Sequence, residues 1–229
     1  MKPLNRLQMA WRAAQDIQDG MVVNLGLGMP VHCGDYIPAG LDVVIQSENG
    51  VIGAGPLAKK GHADSDLVDA GSRQITLAPG ATIIDSAWSF AMIRGGHIDV
   101  TILGAFEVAE NGDLANWDMR VPHKGPLVGG AMDLAASARA VWTVMEHTTR
   151  KGAPRLLHAC TLPLTAPRCV KRIFTDLAVI DVAASGFVVT DVIEGLSQEA
   201  LQERTGAKLT FAADCRVLLA PPLVDTAAD

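Results

Sequence analysis

Val43-Val44-Ile45-Gln46-Ser47-Glu48-Asn49-Gly50-Val51-Ile52-Gly53-Ala54-Gly55-Pro56 sets a β-branched run ahead of one carboxylate and a succession of small residues. Val43-Val44-Ile45, extended through Gln46, is bounded by turn signals and reads as a buried strand whose carboxyl end bears Glu48. Asn49-Gly50 predicts a turn, and Gly53, Gly55 and Pro56 predict a loop of low profile after it. Open α/β sheets bind ligands in the crevice outside the carboxyl ends of their parallel strands, so a carboxylate there is placed to meet one. Ser-Glu-Asn-Gly alone fits a glutamate that caps a turn in water as well as a catalytic one.

Working outward, Leu7, Ala10, Trp11, Ala14 and Ile17 recur at helical spacing and Gly20 follows as a stop, predicting an amphipathic helix over 5–19. Its apolar face either covers a sheet or docks a partner. Strands are predicted at 21–25, 43–46, 74–78, 97–103, 140–145, 177–182 and 187–192. Helices are predicted near 88–94 and 132–137 and at 198–205, the last with Ser197 as N-cap and Glu199 in the first turn. Strands alternating with helices imply an α/β fold, a mostly parallel, helix-covered sheet. We expect one domain over 1–220 and a frayed tail over 221–229, which begins at Pro221-Pro222.

A chain of 229 residues, 49% hydrophobic, buries one sizeable core. Its net charge of −6 argues against nucleic acid and membrane surfaces, which need basic patches, and favours small-molecule chemistry. No apolar segment approaches the roughly 20 residues that span a bilayer, and the amphipathic N-terminus does not read as a signal peptide, so the expected location is the cytoplasm. Cys33, Cys160, Cys169 and Cys215 lack Cys-x-x-Cys spacing and read as reduced structural thiols. The six histidines never fall at HExxH or zinc-finger spacing, and no metal is predicted. Two glycine patterns are decoys. Gly53-Ala54-Gly55-Pro56-Leu57-Ala58 matches GxGxxA, but Pro56 is incompatible with a tight turn into a helix; Asn24 to Pro30 lacks the Gly-Lys-Ser/Thr ending of a P-loop.

Several further runs stand in order along the chain: Asn24-Leu25-Gly26-Leu27-Gly28-Met29-Pro30, Ser89-Phe90-Ala91-Met92-Ile93-Arg94-Gly95-Gly96-His97-Ile98-Asp99, Gly112-Asp113-Leu114-Ala115-Asn116-Trp117 and Gly129-Gly130-Ala131-Met132-Asp133-Leu134. Met145-Glu146-His147, Cys160-Thr161-Leu162-Pro163-Leu164-Thr165 and Thr175-Asp176-Leu177-Ala178-Val179 follow. With Ser47-Glu48-Asn49-Gly50 and Gly53-x-Gly55-Pro56, this pattern resembles the B subunit of the 3-oxoacid CoA-transferases, the succinyl-CoA:3-ketoacid and 3-oxoadipate CoA-transferases, over nearly the whole chain.

The resemblance implies a CoA-transferase fold related to that of the sugar-phosphate isomerases. It also implies a ping-pong transfer of CoA between succinyl-CoA and a 3-oxoacid, 3-oxoadipate or acetoacetate. Glu48 would be the nucleophile that becomes a glutamyl-CoA thioester, and the backbone N–H of Gly130 would face the oxyanion. Asn24, Gly26, Gly28, Asn49, Gly50 and Gly129 would line the substrate and CoA site. Read without the resemblance, Gly129-Gly130 permits a tight turn and Asn24 caps a strand end. No permanently bound cofactor is implied, since the CoA thioester is substrate, together with short carboxylic acids. An A subunit is implied as partner, in an α2β2 assembly.

Two departures bear on the acid. Ser72 stands where the family usually has lysine, with Arg73 beside it as a candidate replacement. Val121-Pro122-His123-Lys124-Gly125-Pro126 replaces the frequent Pro-Gly-Lys pattern. The segment Val128 to Ala135 leans to the 3-oxoadipate branch. Two other classes stay open: a catalytically silent scaffold subunit, and a sugar-phosphate isomerase or deaminase on the same scaffold.

Overall fold

The computed structural model describes residues 2–123 and 125–223. In chain order the strands are β1 (Val22–Leu25), β2 (Val44–Ser47), β3 (Val51–Leu57), β4 (Ile75–Ile83), β5 (Val100–Leu103), β6 (Glu107–Ala109), β7 (Leu114–Ala115), β8 (Ala140–Val144), β9 (Leu156–Leu157), β10 (Val170–Phe174), β11 (Ala178–Ala183), β12 (Gly186–Ile193) and β13 (Leu209–Leu218). The helices are α1 (Arg6–Ala14), α2 (Ser86–Arg94), α3 (Ala131–Ser137) and α4 (Gln198–Gln202), and a 3-10 helix covers Pro30–Tyr36.

One sheet runs β13-β12-β11-β10-β8-β5-β1-β2-β3-β4, and β7-β6-β9 form a small second one. The central run from β10 to β2 is parallel throughout, while β2-β3-β4 and β10-β11-β12 pair antiparallel on its two sides. The expected parallel α/β sheet is therefore present, with antiparallel flanks that widen it. β5 is buried at every residue, as in a sheet covered on both faces, whereas β12 alternates buried and half-buried positions, as when one face meets the core.

The predicted first helix forms, but it ends at Ala14 rather than 19. A reciprocal capping box starts it: Asn5 Oδ1 accepts from Gln8 N–H at 2.9 Å and Gln8 Oε1 from Asn5 N–H at 3.0 Å. Met9, Ala10, Ala13 and Ala14 are buried, so its apolar face covers the sheet. Arg12 is buried with them. It pairs with Asp16 at 2.6 Å and Asp191 at 3.5 Å, while Arg172 reaches Asp16 at 2.9 Å and Arg216 reaches Asp191 at 3.0 Å. Arg12 and Arg172 also lie over the Phe174 ring, at 5.7 and 5.6 Å. This network ties α1 to the C-terminal strands, and a charge buried there is tolerated because it is paired.

Other boundaries moved for identifiable reasons. The stretch expected as a loop after Gly50 is β3, and Gly53 makes a bulge at φ +85° where a Cβ would press on Ala81. That strand geometry leaves no strand-turn-helix unit at the GxGxxA stretch. β4 runs past Pro79 to Ile83 because it is the sheet edge, where a missing N–H costs no ladder bond. The last helix is shorter than 198–205, although Ser197 Oγ does cap it, accepting from Ala200 N–H. Of the expected tail, Pro221 and Leu223 offer their carbonyls to Gln8 and Asn5, at 2.9 and 2.6 Å; residues 224–229 lie outside the described residues. Among the described residues no helix is long and apolar enough to cross a membrane.

Candidate active site

β2 ends at Ser47, and the chain turns at once, Gly50 N–H closing on the Ser47 carbonyl at 3.0 Å. Gly50 sits at φ +117° with Ile84 O where a Cβ would stand, so glycine is required there. Ile84 N–H returns a bond to Gly50 O at 2.9 Å, and Asn49 Nδ2 donates to Val68 O at 2.9 Å. Asn49 and Gly50 thus pin the turn rather than line a binding surface. Glu48, half-buried, is left facing a cleft of about 670 Å³ along the carboxyl ends of β1, β5 and β8.

Gly26, Leu103 and Met145 lie on the strand side of this cleft, and Leu127 through Ala131 form the facing wall. Gly26 approaches closely enough that a Cβ would press on Leu103 Cδ2 at 2.9 Å. Gly28 occupies φ +88° in open space between the cleft-lining Leu27 and Met29. The paired glycines differ sharply. Around Gly129 there is open space; at Gly130 a Cβ would collide with Glu48 Oε2 and stand 2.8 Å from Phe90 Cζ. Gly130 therefore lets the backbone ahead of α3 lie directly against the carboxylate.

Burial, and secondarily the charge of Asp133, raises the Glu48 pKa above the ordinary carboxylate value. Asp133 is itself held by Arg94 at 2.8 Å, and the Arg94 guanidinium lies 5.5 Å above the Phe90 ring. A carboxylate stripped of part of its water and set beside a like charge is a stronger nucleophile than one in solvent.

Asn24 is placed otherwise than expected for a substrate-binding residue. It is fully buried, its Nδ2 donates to Gln46 Oε1 at 2.7 Å and Gln46 O at 3.1 Å, and it lies behind the cleft wall. Arg73 does not replace the missing lysine. Its Nε, Nη1 and Nη2 donate to Asp69, Asp35 and Val31 O at 2.9 Å or less, beside a separate cavity of about 30 Å³. Ser72 occupies a left-handed turn at φ +60°. The described cationic residues that do line the cleft are Arg6 and Arg155, which sequence reasoning passed over. Asn116 also lines it, its Nδ2 donating to Gly104 O at 3.0 Å, while Trp117 is half-buried and bonds Leu164 O. Gln46, Ser89 and Phe90 were missed as well; the only signal for the last two was their place in the Ser89 to Asp99 run.

The Met145-Glu146-His147 and Thr175-Asp176 runs hold loops together. His147 is fully buried; its ring nitrogens meet Thr175 Oγ1 at 3.1 Å and Thr205 Oγ1 at 2.9 Å, and its N–H donates to Asp176 Oδ1 at 2.7 Å. Burial, helped by the charge of Arg204, pushes its pKa down to about 4. The native ring refuses a proton that the unfolded chain accepts below about 6.5. Stability on this account falls as pH drops from about 6.5 to about 4, with a slope of about 1.4 kcal/mol per pH unit. Urea titrations of wild type and His147→Gln across that window measure it, the difference between the two removing the opposite contribution of the raised Asp176 carboxyl. Parallel pH profiles would refute the assignment.

Residues 6–204 match the family described as Coenzyme A transferase. The chain is 48% identical over 206 residues to the B subunit of the 3-oxoadipate CoA-transferase of Acinetobacter baylyi, covering 90% of this chain and 95% of that one. It is 47% identical over 203 residues to the B subunit of a probable succinyl-CoA:3-ketoacid coenzyme A transferase of Bacillus subtilis, covering 88% and 93%. Among solved structures, an acyl-CoA transferase from E. coli O157:H7 in a thioester complex with CoA superposes with a TM-score of 0.71 at 18% identity. That match takes in 95% of this chain and 44% of the other.

Proposed function

This chain belongs to the coenzyme A transferase family, and from that premise we propose that it is the B subunit of a two-component enzyme that moves CoA between acids through Glu48. The observation that carries the reading is the half-buried Glu48 carboxylate at the end of β2, against a wall that has no Cβ at Gly130.

Glu48 attacks the thioester carbonyl, forming an acyl-glutamyl anhydride and releasing CoA thiolate. The thiolate attacks the glutamyl carbonyl; the donor acid departs as carboxylate and a glutamyl-CoA thioester remains. The acceptor carboxylate then attacks that thioester, again giving an anhydride and thiolate, and thiolate attack on the acyl carbon forms the new acyl-CoA and restores Glu48. No proton enters the balance, so no general base is required. The Gly130 N–H is assigned to the oxyanion of the tetrahedral intermediates, and apolar Leu127, Val128 and Leu134 help keep water from the anhydride. Gly26, Gly28 and Gly129 give the thioester a low wall, while Asn24, Asn49 and Gly50 support the nucleophile from behind.

The names of the relatives favour succinyl-CoA as donor and a 3-ketoacid or 3-oxoadipate as acceptor; our reading admits acetoacetate as that 3-ketoacid and adds an A-type subunit that completes the site in an α2β2 assembly in the cytoplasm. No resident cofactor takes part. The test is peptide mass spectrometry of the chain co-purified with its A-type partner after incubation with succinyl-CoA. A CoA-sized increment on the Glu48 peptide is expected; an unmodified Glu48 across a panel of acyl-CoA thioesters overturns the reading.

A further inference from the structure

A chain of buried side chains crosses four elements behind Glu48. Thr101 Oγ1 on β5 donates to Asn24 Oδ1 on β1 at 3.3 Å. Asn24 Nδ2 donates to Gln46 Oε1 on β2 at 2.7 Å, and Gln46 Nε2 donates to Ser89 Oγ on α2, also at 2.7 Å. Ser89 Oγ donates in turn to the Ser47 carbonyl at 3.4 Å, and Gln46 Nε2 reaches the same oxygen at 3.2 Å. All five residues are at most 4% exposed.

Every donor in the chain points the same way, from β5 to the peptide that joins Ser47 to Glu48. With the turn bond from Gly50 N–H, three donors converge on one carbonyl oxygen that has two lone pairs. A polar chain in an apolar interior is costly unless satisfied, and when satisfied its members polarise one another and fix a single arrangement. The parallel pairing of β1, β2 and β5 is already secured by apolar burial and ladder bonds, so the chain is not needed to hold the strands together.

We propose that Gln46 and Ser89 are positioning residues for Glu48, fixing the Ser47 to Gly50 turn so that the carboxylate stands against Gly130 in attack geometry. This rests on the reading of Glu48 as the nucleophile. Neither side chain lines the cleft. Their action runs through the Ser47 carbonyl, which ties the sheet and α2 to the backbone of the nucleophile.

The test is single-turnover acylation of Glu48 by succinyl-CoA in the complex with the A-type partner, measured per folded molecule, with KM and kcat measured in parallel. Ser89→Ala removes one oxygen, and Gln46→Met removes the amide at nearly constant volume. Both are expected to slow acylation about 10- to 100-fold with KM changed less than about threefold, as for a displaced reacting group. Ile93→Val, a fully buried change on the same helix, controls for structure: it lowers the melting temperature and leaves the acylation rate unchanged. If Gln46→Met does not fold, Ser89→Ala carries the comparison. Wild-type acylation rates in Ser89→Ala would overturn this inference alone; an unlabelled wild type would overturn the transferase reading and this inference with it.

Discussion

Glu48→Gln, purified with its partner, loses turnover by about 10⁴-fold or more and takes up no label from an acyl-CoA thioester. An amide neither attacks a thioester nor leaves as a carboxylate, so both halves of the ping-pong cycle fail together. Glu48→Ala is expected to repeat the kinetic loss. The same glutamine variant gains stability at neutral pH. Burial and the nearby Asp133 raise the native carboxyl pKa, so the native state holds its proton more tightly than the unfolded chain. As pH rises past the unfolded value of about 4.5 the unfolded chain is favoured, until the native carboxyl ionises and the deficit becomes constant. Glutamine removes that deficit, which places Glu48 among active-site groups held at the expense of stability. Thermal unfolding at pH 7 and at pH 4 checks the sign: the variant melts higher at the first and close to wild type at the second. Retained turnover in both variants would dismiss Glu48 as nucleophile, and unchanged melting at pH 7 would dismiss its electrostatic strain.

How much of this was legible beforehand depended on the kind of signal. Four strands of the parallel centre, β1, β2, β5 and β8, were readable because burial in the middle of the sheet makes them largely apolar runs. β3, β10 and β13 were not. β3 carries two glycines and a proline, tolerated because Gly53 forms a bulge and the strand lies next to the sheet edge. β10 breaks its apolar run with Lys171 and Arg172, and Arg172 is accommodated by Asp16, far away in the chain, and by the Phe174 ring. β13, mostly exposed or half-buried, is the other edge and needs little apolar patterning. The first helix was read too long because the periodicity continues to Ile17, which is buried without being helical.

The site divides in the same way. Glu48 and Gly130 were legible as parts of motifs, but why one sits against the other was not, since a long stretch of chain and a strand crossover separate them. Asn24 was expected to line the site, but parallel register sets it opposite Gln46, where its amide is consumed. Arg73 fails as a substrate anchor for a reason no local reading supplies. Asp35, donated by the 3-10 helix, completes a set of acceptors that leaves no nitrogen of the guanidinium free to turn toward the cleft.

Gly130→Ala yields a folded protein that acylates about 100-fold more slowly or worse, while Gly129→Ala, whose methyl meets no protein atom, slows acylation far less and acts mainly on KM through the cleft wall. Both glycines precede α3, and Gly130 has φ −67° and ψ −6°, a conformation alanine adopts without strain, so backbone distortion does not account for a loss there. Alanine also keeps the N–H, so an oxyanion donor is not deleted. What changes is space. The new methyl falls on Glu48 Oε2 and within 3.0 Å of the Phe90 ring, whereas at Gly129 nothing lies within 4 Å. Phe90 is backed by the Arg94 guanidinium over its ring, and the glutamate is the flexible partner, so the carboxylate is the group that yields. It leaves the position in which it meets the thioester carbonyl, and the rate of acylation falls while thioester affinity is kept. Single-turnover labelling and KM of the two alanine variants, beside their melting temperatures, separate this from overpacking, which would lower stability in proportion to the rate. Equal acylation by Gly130→Ala and wild type would mean that Glu48 reacts from a conformation other than the one it adopts against Gly130.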